Sequence, residues 1–237
     1  EFAVWDDHTS EKFRLIFQII GHARHARKKT LDEILEFHAN YQNFKFSKIQ
    51  KHEIKYCYKN FIKFKKSNTM IDFEDMLEKA LVPNIIFQDY KVVMVDEVQD
   101  LTPLEWKVIA KLGLTTEELY LVGDDDQAIY GWKGANVKIF QKWSCDESRK
   151  IILPKTHRLP IKIYNLAQQI AGSITHRIGN NYEPCKTDCH DKSNQEGIIQ
   201  PIFEMNELDE VLDFDSNAIM CARGWAQCHQ YVRYLKN

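Results

Sequence analysis

The sequence has little of what marks several common classes of protein. Glycine and proline are scarce, at nine and six of 237 residues, which excludes collagen-like and low-complexity chains. No apolar run approaches the roughly 20 residues that a membrane-spanning helix needs, so we expect no integral membrane protein. The six cysteines are too few and too scattered for a disulfide scaffold, which favours a reducing cytoplasmic or nuclear compartment. With 44% hydrophobic and 28% charged residues, the chain is expected to form one or two globular domains.

Charge is unevenly distributed along the chain. The whole sequence carries a formal net charge of −2, but residues 1–69 contain 14 Lys and Arg against 8 Asp and Glu, a net +6 that leaves −8 for the rest. A basic N-terminal third of this kind indicates a polyanionic partner.

Apolar residues recur at helical spacing from Glu11 to about Leu81, which predicts that this third is all helix. Within it, lysines three or four residues apart line one side of a helix: Lys48, Lys51, Lys55, Lys59, Lys63 and Lys66. This lysine stripe is either an ordinary solvated face or a surface that follows a phosphate backbone. The basic run His22–Lys29 is interpreted as the solvated end of a helix, with a nucleic-acid clamp as the alternative.

After Pro83 the pattern changes to short β-rich runs that alternate with helical stretches. Strands are predicted at Lys91–Val95, Glu118–Val122, Lys150–Leu153, Ile198–Phe203 and Ala218–Cys221. Helices are predicted at Pro103–Leu112, Ala135–Trp143, Pro160–Ala171, Asn206–Leu212 and Trp225–Leu235. This alternation predicts an α/β fold with a parallel sheet covered on both faces, which would bind ligands at the carboxyl ends of its strands.

The strand predicted at Lys91–Val95 is followed at once by two carboxylates, Asp96 and Glu97. Charge at a strand tip is costly to bury unless it meets a cation. In the Walker-B arrangement, the first carboxylate holds Mg²⁺ and the second orients and deprotonates a water that attacks the γ-phosphate of a nucleotide. An ordinary acidic turn is the alternative interpretation.

The strand predicted at Glu118–Val122 is followed by a glycine, three aspartates, Gln127 and two aromatic residues, Tyr130 and Trp132. The Gln127 amide can bind a phosphate oxygen or an attacking water. The aromatic rings offer flat faces to unpaired bases, and a core role for one of them is the alternative. We expect Trp132 to lie outside the core, because small and polar residues flank it.

Two segments, Asp96–Asp100 and Val122–Ala135, closely resemble motifs II and III of superfamily 1 DNA helicases of the UvrD/Rep/PcrA type in sequence, order and spacing. Upstream, Ile71–Leu77 is similar to the family's Asp-Phe-x-Asp-Leu-Leu element. Downstream, Leu153–Arg158 is similar to motif IV, and Ala218–Arg223 to the next strand of the second motor domain. The resemblance runs from about residue 45 to the C-terminus, and motifs II and III together are highly specific.

The resemblance implies a role for each matching residue of the nucleotide site. Asp96 would bind Mg²⁺, and Glu97 would be the catalytic base. Gln127 would sense the γ-phosphate of ATP, and Arg158 would be an arginine finger from the second RecA-like domain.

Further contacts to nucleotide and DNA are implied, with departures from the family pattern. His157 stands where the family usually has a Tyr that stacks on adenine, and Lys133 stands where it usually has Arg, so both nucleotide contacts would be altered. Trp225 occupies the place of a family Asn near the DNA. The expected DNA-binding residues combine the resemblance with the lysine stripe: Tyr130, Trp132, Arg223, Lys51, Lys55 and Lys59.

The phosphate-cradling pattern Gly-x-x-x-x-Gly-Lys-Ser/Thr occurs nowhere in the sequence, and helicase motifs V and VI are also missing. We therefore expect either a fragment of a longer helicase or a degenerate relative that hydrolyses almost no ATP. The absence of an initiating Met, together with intact Asp96, Glu97, Gln127 and Arg158, favours the fragment, which alone would be inactive.

The fold implied by the resemblance consists of RecA-like P-loop NTPase sheets with an all-helical N-terminal insertion domain of the 1B kind. Residues 1–83 would form the 1B-like domain and its return to the motor. Residues 84–148 would form the C-terminal part of the first RecA-like domain, and residues 149–237 the N-terminal part of the second.

The implied activity is that of an ATP-dependent DNA helicase, a DNA-stimulated ATPase that uses ATP and Mg²⁺. It would translocate 3′ to 5′ on single-stranded DNA and unwind duplex at duplex–single-strand junctions in replication, repair or recombination. A non-hydrolysing DNA-binding or regulatory module without the P-loop is an alternative, and a helicase-nuclease subunit is another. The sequence does not identify a protein partner.

Two cysteines and a histidine lie together in a polar stretch, at Cys185, Cys189 and His190. Zinc usually takes four ligands, and a second pair at matching spacing is not evident, although Cys221 and Cys228 could be brought close. Ordinary thiols and a zinc site both stay open, with thiols favoured.

Overall fold

The computed structural model describes residues 7–40, 46–143, 147–178, 183–184, 196–201, 207, 221 and 225–234. The chain divides into two compact units, Glu1–Ile151 with Ile174–Gly179, and Ile152–Ser173 with Asn180–Asn237. Within the described ranges, no helix is both long and apolar enough to cross a membrane. The expected division into residues 1–83, 84–148 and 149–237 stays a prediction.

Four helices form the N-terminal third, as the helical spacing of its apolar residues predicts. They are α1 (Asp7–His25), α2 (Leu31–Asn40), α3 (Lys51–Ser67) and α4 (Phe73–Ala80). The buried side chains that join the first three helices are mainly aliphatic: Ile16, Ile19, Ile20, Ala23, Ile34, Phe46, Ile49, Ile54 and Cys57. Burial of this set stabilises the bundle, since each large aliphatic side chain contributes about 1.5–3 kcal/mol when it leaves water.

The first unit continues with alternating strands and helices. The elements are β1 (Tyr90–Val95), α5 (Pro103–Gly113), β2 (Thr116–Leu121) and α6 (Val137–Trp143). Strands β1 and β2 are parallel, with Tyr90 opposite Thr116 and Val95 opposite Leu121. Thr102 is the N-cap of helix α5, and its side chain accepts a hydrogen bond from the backbone N–H of Glu105. Pro103 occupies the first turn, and both features are strong local signals for the start of a helix. The predicted strands and helices of this region are confirmed, with small shifts at their ends.

The second unit contains β3 (Lys155–Thr156), α7 (Ile161–Ala171), β4 (Glu183–Pro184) and α8 (Trp225–Tyr234). Strands β3 and β4 pair in parallel. The strand predicted at Lys150–Leu153 is wrong, because Ile151 and Leu153 are exposed and no described strand pairs with that segment. The described part of the strand predicted at Ile198–Phe203 is also irregular, and Ala218–Met220 lies outside the described residues.

The mixed helix and sheet architecture confirms the α/β class at a coarse level, and both described sheets are short and parallel. The expected coverage of both sheet faces is not found. The Met94 side chain of β1 is 74% exposed, because no described element packs against this face. The RecA-like assignment and the 1B-like insertion stay predictions.

Candidate functional site

The acidic pair lies directly after β1, at the carboxyl end of the sheet. Asp96 and Glu97 are both exposed, and the backbone N–H of Glu97 donates to Oδ1 of Asp96 at 2.9 Å. Glu97 adopts a left-handed backbone conformation with φ of 54°. Non-glycine residues rarely adopt this conformation, so this turn is strained and directs the two carboxylates by its geometry.

Gln99 connects the acidic pair to the loop after β2. Its side chain is buried, at 1% exposure, and its Nε2 donates to Oε2 of Glu97 at 2.6 Å. Its Oε1 accepts from the backbone N–H of Asp124 at 3.1 Å. A single buried amide therefore fixes the Glu97 carboxylate relative to the second loop. The sequence gives Gln99 no predicted role, because its position between Val98 and Asp100 is no signal of a bridging amide.

The loop after β2 completes a continuous path of hydrogen bonds. The Gln127 Nε2 donates to Oδ2 of Asp124 at 2.7 Å, while Oδ1 of Asp124 accepts from the backbone N–H of Asp126 at 3.1 Å. The path therefore runs from Glu97 through Gln99 and Asp124 to Gln127. The structure thus links the predicted catalytic base to the predicted phosphate sensor.

The next two aspartates bind a segment that returns to the first unit. Asp125 accepts from Nε2 of Gln141 at 2.8 Å and from the backbone N–H of Ile178 at 2.7 Å. Asp126 forms an ion pair with Arg177. Burial raises the pKa of Asp126, and the Arg177 guanidinium opposes this shift. These two carboxylates therefore have a structural role, which the motif alone does not reveal.

Tyr130 and Trp132 lie on a short 3₁₀ helix, Tyr130–Lys133, and both are accessible. Trp132 is 61% exposed and Tyr130 is 40% exposed, and their ring centroids lie 6.1 Å apart at an interplanar angle of 50°. Trp132 is therefore not a core residue. The adjacent Lys133 is also exposed. The roles of these three side chains in binding stay predictions.

The donor set at Asp96 fits a magnesium ion that keeps most of its waters. Asp96 presents an exposed carboxylate with one oxygen bound only to a backbone N–H. Within the described ranges, no group of three or more His, Cys, Asp or Glu side chains could hold a metal ion. Mg²⁺ is commonly bound by one or two carboxylates plus substrate phosphates, so the arrangement suits a nucleotide-bound ion.

A buried charge cluster joins α1, α3 and α4. Arg24 is 6% exposed and donates to Asp72 at 2.8 Å, to Asp75 at 2.7 Å and to Glu78 at 3.3 Å. The Lys65 Nζ donates to Asp72 and Asp75, at 2.7 Å each. Burial alone would raise the pKa of Asp72, but hydrogen bonds from Lys65 and Arg24 lower it to about 2.

The charge cluster corrects the interpretation of His22–Lys29 as a solvated helix end. Arg24 is buried among carboxylates, and Nδ1 of His25 lies 3.1 Å from Oγ1 of Thr102 at the start of α5. Both side chains therefore hold elements together. The reason is that the acidic residues of the Asp-Phe-x-Asp-Leu-Leu element, distant in sequence, meet the end of α1.

The remaining predicted site residues lie on exposed surfaces or outside the described ranges. His157 and Arg158 follow β3 in the second unit and are exposed. Lys51, Lys55 and Lys59 lie exposed on α3. Arg223, Cys185, Cys189 and His190 lie outside the described residues.

The chain matches a known protein family over much of its length. Residues 4–147, more than half of the chain, match the UvrD/REP helicase N-terminal domain. This match includes helices α1–α6, strands β1 and β2, and the loops that carry Asp96, Glu97 and Gln127.

Individual relatives are DNA helicases of bacteria. The chain is 32% identical over 150 residues to DNA helicase II of Haemophilus influenzae, an alignment that covers 60% of the chain and 20% of the relative. It is 30% identical over 158 residues to the ATP-dependent DNA helicase Rep of Buchnera aphidicola, with 61% and 22% covered. It is 28% identical over 120 residues to the ATP-dependent DNA helicase PcrA of Staphylococcus aureus, with 46% and 16% covered. The chain thus spans about a fifth of the length of these relatives.

Proposed function

We propose, because the chain belongs to the UvrD/REP helicase family, that it is part of an ATP-dependent DNA helicase that translocates 3′ to 5′ on single-stranded DNA and unwinds duplex. The relatives are named as DNA helicases, and two of those named above are ATP-dependent. The chain covers about a fifth of the length of these relatives. We therefore also propose that it is a fragment of a longer protein and that the helicase activity is that of the whole protein.

One observation carries the proposal for ATP hydrolysis. Glu97 and Gln127 follow neighbouring parallel strands and are joined through Gln99 and Asp124. Glu97 accepts the proton of the attacking water, and Gln127 contacts the γ-phosphate and that water. Asp96 would hold Mg²⁺, which when bound would neutralise charge on the phosphates. The amide of Gln99 keeps the Glu97 carboxylate oriented toward the water.

Two exposed residues that follow β3 are further proposed nucleotide contacts. Arg158 is the proposed arginine finger, since a guanidinium can stabilise charge that develops on the γ-phosphate. His157 stacks on the base, and Lys133 of the first unit contributes a positive charge toward the phosphates.

DNA contacts come from exposed aromatic and basic side chains. Tyr130 and Trp132 stack on bases, which contributes about 1–3 kcal/mol for each base. Lys51, Lys55 and Lys59 bind phosphates along α3, and Arg223 adds a contact from the second unit. Single-stranded DNA and its junctions with duplex are the proposed substrates, in replication, repair or recombination, and the cytoplasm is the proposed location.

The test of ATP hydrolysis is Glu97→Gln in the full-length protein. The amide keeps the shape of the side chain but cannot accept the proton of the water, so DNA-stimulated ATPase activity should fall by about 10²–10⁴-fold. Binding of a fluorescent ATP analogue should persist. Steady-state ATPase rates and equilibrium titrations measure the two effects separately.

Glu117→Gln is the matched control, because Glu117 is exposed on β2 near the opposite end of the sheet. That variant should keep wild-type rates. A Glu97→Gln protein that turns over within a few-fold of wild type would remove Glu97 from the role of base.

Direction of movement is tested with partial duplexes that carry either a 3′ or a 5′ single-stranded tail. Unwinding only from the 3′ tail supports the proposed polarity, and unwinding from the 5′ tail contradicts it. If the full-length protein binds DNA but hydrolyses no ATP, the alternative of a non-hydrolysing DNA-binding module is supported instead.

A further inference from the structure

Helix α3 exposes an aromatic stripe that no role assigned above explains. Tyr56 is 68% exposed and Phe64 is 56% exposed. They are eight residues apart, so they lie on the same side of the helix, about 80° from each other around its axis and about 12 Å along it. Asn60, also exposed, lies between them and donates to the backbone carbonyl of Tyr56 at 3.0 Å. Large aromatic side chains exposed in a row are unusual for a face that only meets water.

The aromatic stripe borders the lysine stripe along the helix. Lys55, Lys59 and Lys63 are exposed and are each one residue away from a member of the Tyr56–Asn60–Phe64 row. Successive positions on a helix are about 100° apart, and a spacing of three residues places Lys59 beside Tyr56 and Lys63 beside Asn60. None of these three lysines forms an ion pair with another described residue. Their charges are therefore available to an anionic partner.

The space beside Tyr56 is open and largely apolar. A cavity of about 420 Å³ lies between α1 and α3, and Tyr56 forms part of its lining together with Phe13, Ile16 and Cys57. An ion pair between Lys12 and Glu53 contributes polar side chains to the same lining. A planar group that stacks on Tyr56 would therefore meet both apolar surface and hydrogen-bonding groups.

We propose that this face of α3 binds single-stranded DNA, with Tyr56 and Phe64 stacked on bases and the neighbouring lysines bound to phosphates. The inference rests on the proposed DNA-helicase function and adds a second stacking site to that of Tyr130 and Trp132. Single strands fit this face better than duplex, because paired bases are already stacked on each other and expose no face to a side chain. The combination of basic and aromatic side chains is the one that binds single strands without sequence preference.

The experiment compares two oligonucleotides of equal length, a fluorescent oligo-dT and its fully abasic counterpart, titrated into the full chain. The double variant Tyr56→Ala/Phe64→Ala should weaken binding of oligo-dT by roughly 5- to 150-fold for each base lost. Its binding of the abasic strand should be unchanged, because the phosphates remain. Tyr56→Phe and Phe64→Tyr keep the rings and should bind oligo-dT like wild type.

A second set of variants, at the lysines, tests phosphate binding separately from base stacking. The variant Lys55→Ala/Lys59→Ala/Lys63→Ala should weaken binding of both oligonucleotides, and each lost phosphate contact should flatten the slope of log affinity against log salt by about 0.7. Replacement of Lys51, Lys55 and Lys59 should flatten it in the same way. An unchanged slope would mean that the lysine stripe is an ordinary solvated face.

The outcomes distinguish this inference from the proposed function. If Tyr130→Ala/Trp132→Ala weakens oligo-dT binding and Tyr56→Ala/Phe64→Ala does not, the inference fails while the helicase proposal stands. Equal losses on oligo-dT and the abasic strand would also overturn it, because they would show a general defect. A changed oligomeric state with unchanged DNA affinity would assign the aromatic stripe to a protein interface. If the full-length wild type binds no DNA, the proposed function itself fails.

Discussion

Gly123 lies where the loops that follow β1 and β2 approach each other. A Cβ atom at this position would lie 2.5 Å from Oε1 of Gln99 and 2.9 Å from Cγ2 of Val98, both distances far below van der Waals contact. Gln99 and Val98 are buried at 1% and 0% exposure, so neither side chain has room to move away. Glycine is therefore required here by close approach, and the approach is what lets Gln99 reach both loops.

Gly123→Ala is expected to destabilise the fold by about 1–3 kcal/mol, because the new methyl group must displace the Gln99 amide or the Val98 side chain. Urea unfolding measures the loss. Gly131→Ala is the control, since no atom lies within 4 Å of a Cβ at that position, and its effect should stay within about 0.5 kcal/mol. Equal stability of the two variants would show that the close approach at Gly123 is not tight in solution.

At the scale of elements, helix α4 is held by charge more than by apolar burial. None of its side chains is buried, whereas Asp72 at its N-cap and Asp75 in its first turn bind Arg24 of α1 and Lys65 of α3. The same two aspartates form a reciprocal capping box at the start of the helix. Asp72 and Asp75 therefore have two roles: they start helix α4, and they attach it to α1 and α3.

Asp72→Asn tests the charge while it keeps the cap, since Asn is an equally good N-cap residue. The pKa of Asp72 is lowered from 3.8 to about 2, so the ionised carboxylate stabilises the folded state above about pH 4 and loses this contribution as the pH falls toward 2. The variant should be less stable than wild type by about 1–3 kcal/mol at pH 7. Urea unfolding at pH 7 and pH 3 should show that this difference narrows at the lower pH.

Asp89→Asn is the control, because Asp89 lies on an exposed segment before β1. It should leave stability unchanged at both pH values. A difference between Asp72→Asn and wild type that is the same at pH 7 and pH 3 would contradict the role of the ionised carboxylate.

The elements that could be predicted from the sequence are those with local signals. Helix α5 follows from Thr102, Pro103 and the apolar spacing after them, and the extended run at Lys91–Val95 follows from its β-branched residues. The strand expected at Lys150–Leu153 shows the limit, because a strand also needs a partner that local sequence does not reveal. The burial of Arg24 shows the same limit, since its partner Asp72 is 48 residues away.

The candidate site also combines residues with local sequence signals and contacts that depend on distant partners. Asp96, Glu97 and Gln127 could be singled out from the sequence because each follows a predicted apolar strand, and the structure confirms that these two strands are parallel neighbours. The bridge through Gln99 could not be predicted, because the backbone N–H that it accepts from belongs to Asp124, 25 residues later. The packing of β1 against β2 brings the Gln99 amide to the loop after β2, and local sequence does not reveal that packing.

At the scale of the whole molecule, the segment after β2 connects the proposed nucleotide site to the proposed DNA site. Gln127 lies in one short 3₁₀ helix, Asp125–Gln127, and Trp132 lies in the next, Tyr130–Lys133. The C-cap residue of the second helix, Gly134, has a φ of 98° and packs near His25 and Thr102. Only four residues separate Gln127 from Trp132, so under the proposed function this segment is the shortest route by which ATP binding could alter the grip on DNA.

Trp132→Ala in the full-length protein tests this coupling. The side chain is 61% exposed, so its loss should leave the melting temperature nearly unchanged. Single-stranded DNA binding should weaken by about 1–3 kcal/mol, and DNA-stimulated ATPase activity should fall more than basal activity, because the base no longer stacks on the ring that follows the phosphate sensor. Anisotropy titrations and ATPase rates with and without DNA provide the measurements.

Trp143→Ala is the matched control, because Trp143 stacks on the buried Trp106 with ring centroids 5.2 Å apart. That variant should lower the melting temperature by several degrees and leave DNA affinity intact. The opposite pattern, a large fall in melting temperature for Trp132→Ala with unaltered DNA affinity, would make Trp132 a packing residue. The coupling role assigned to the segment between Gln127 and Trp132 would then be wrong.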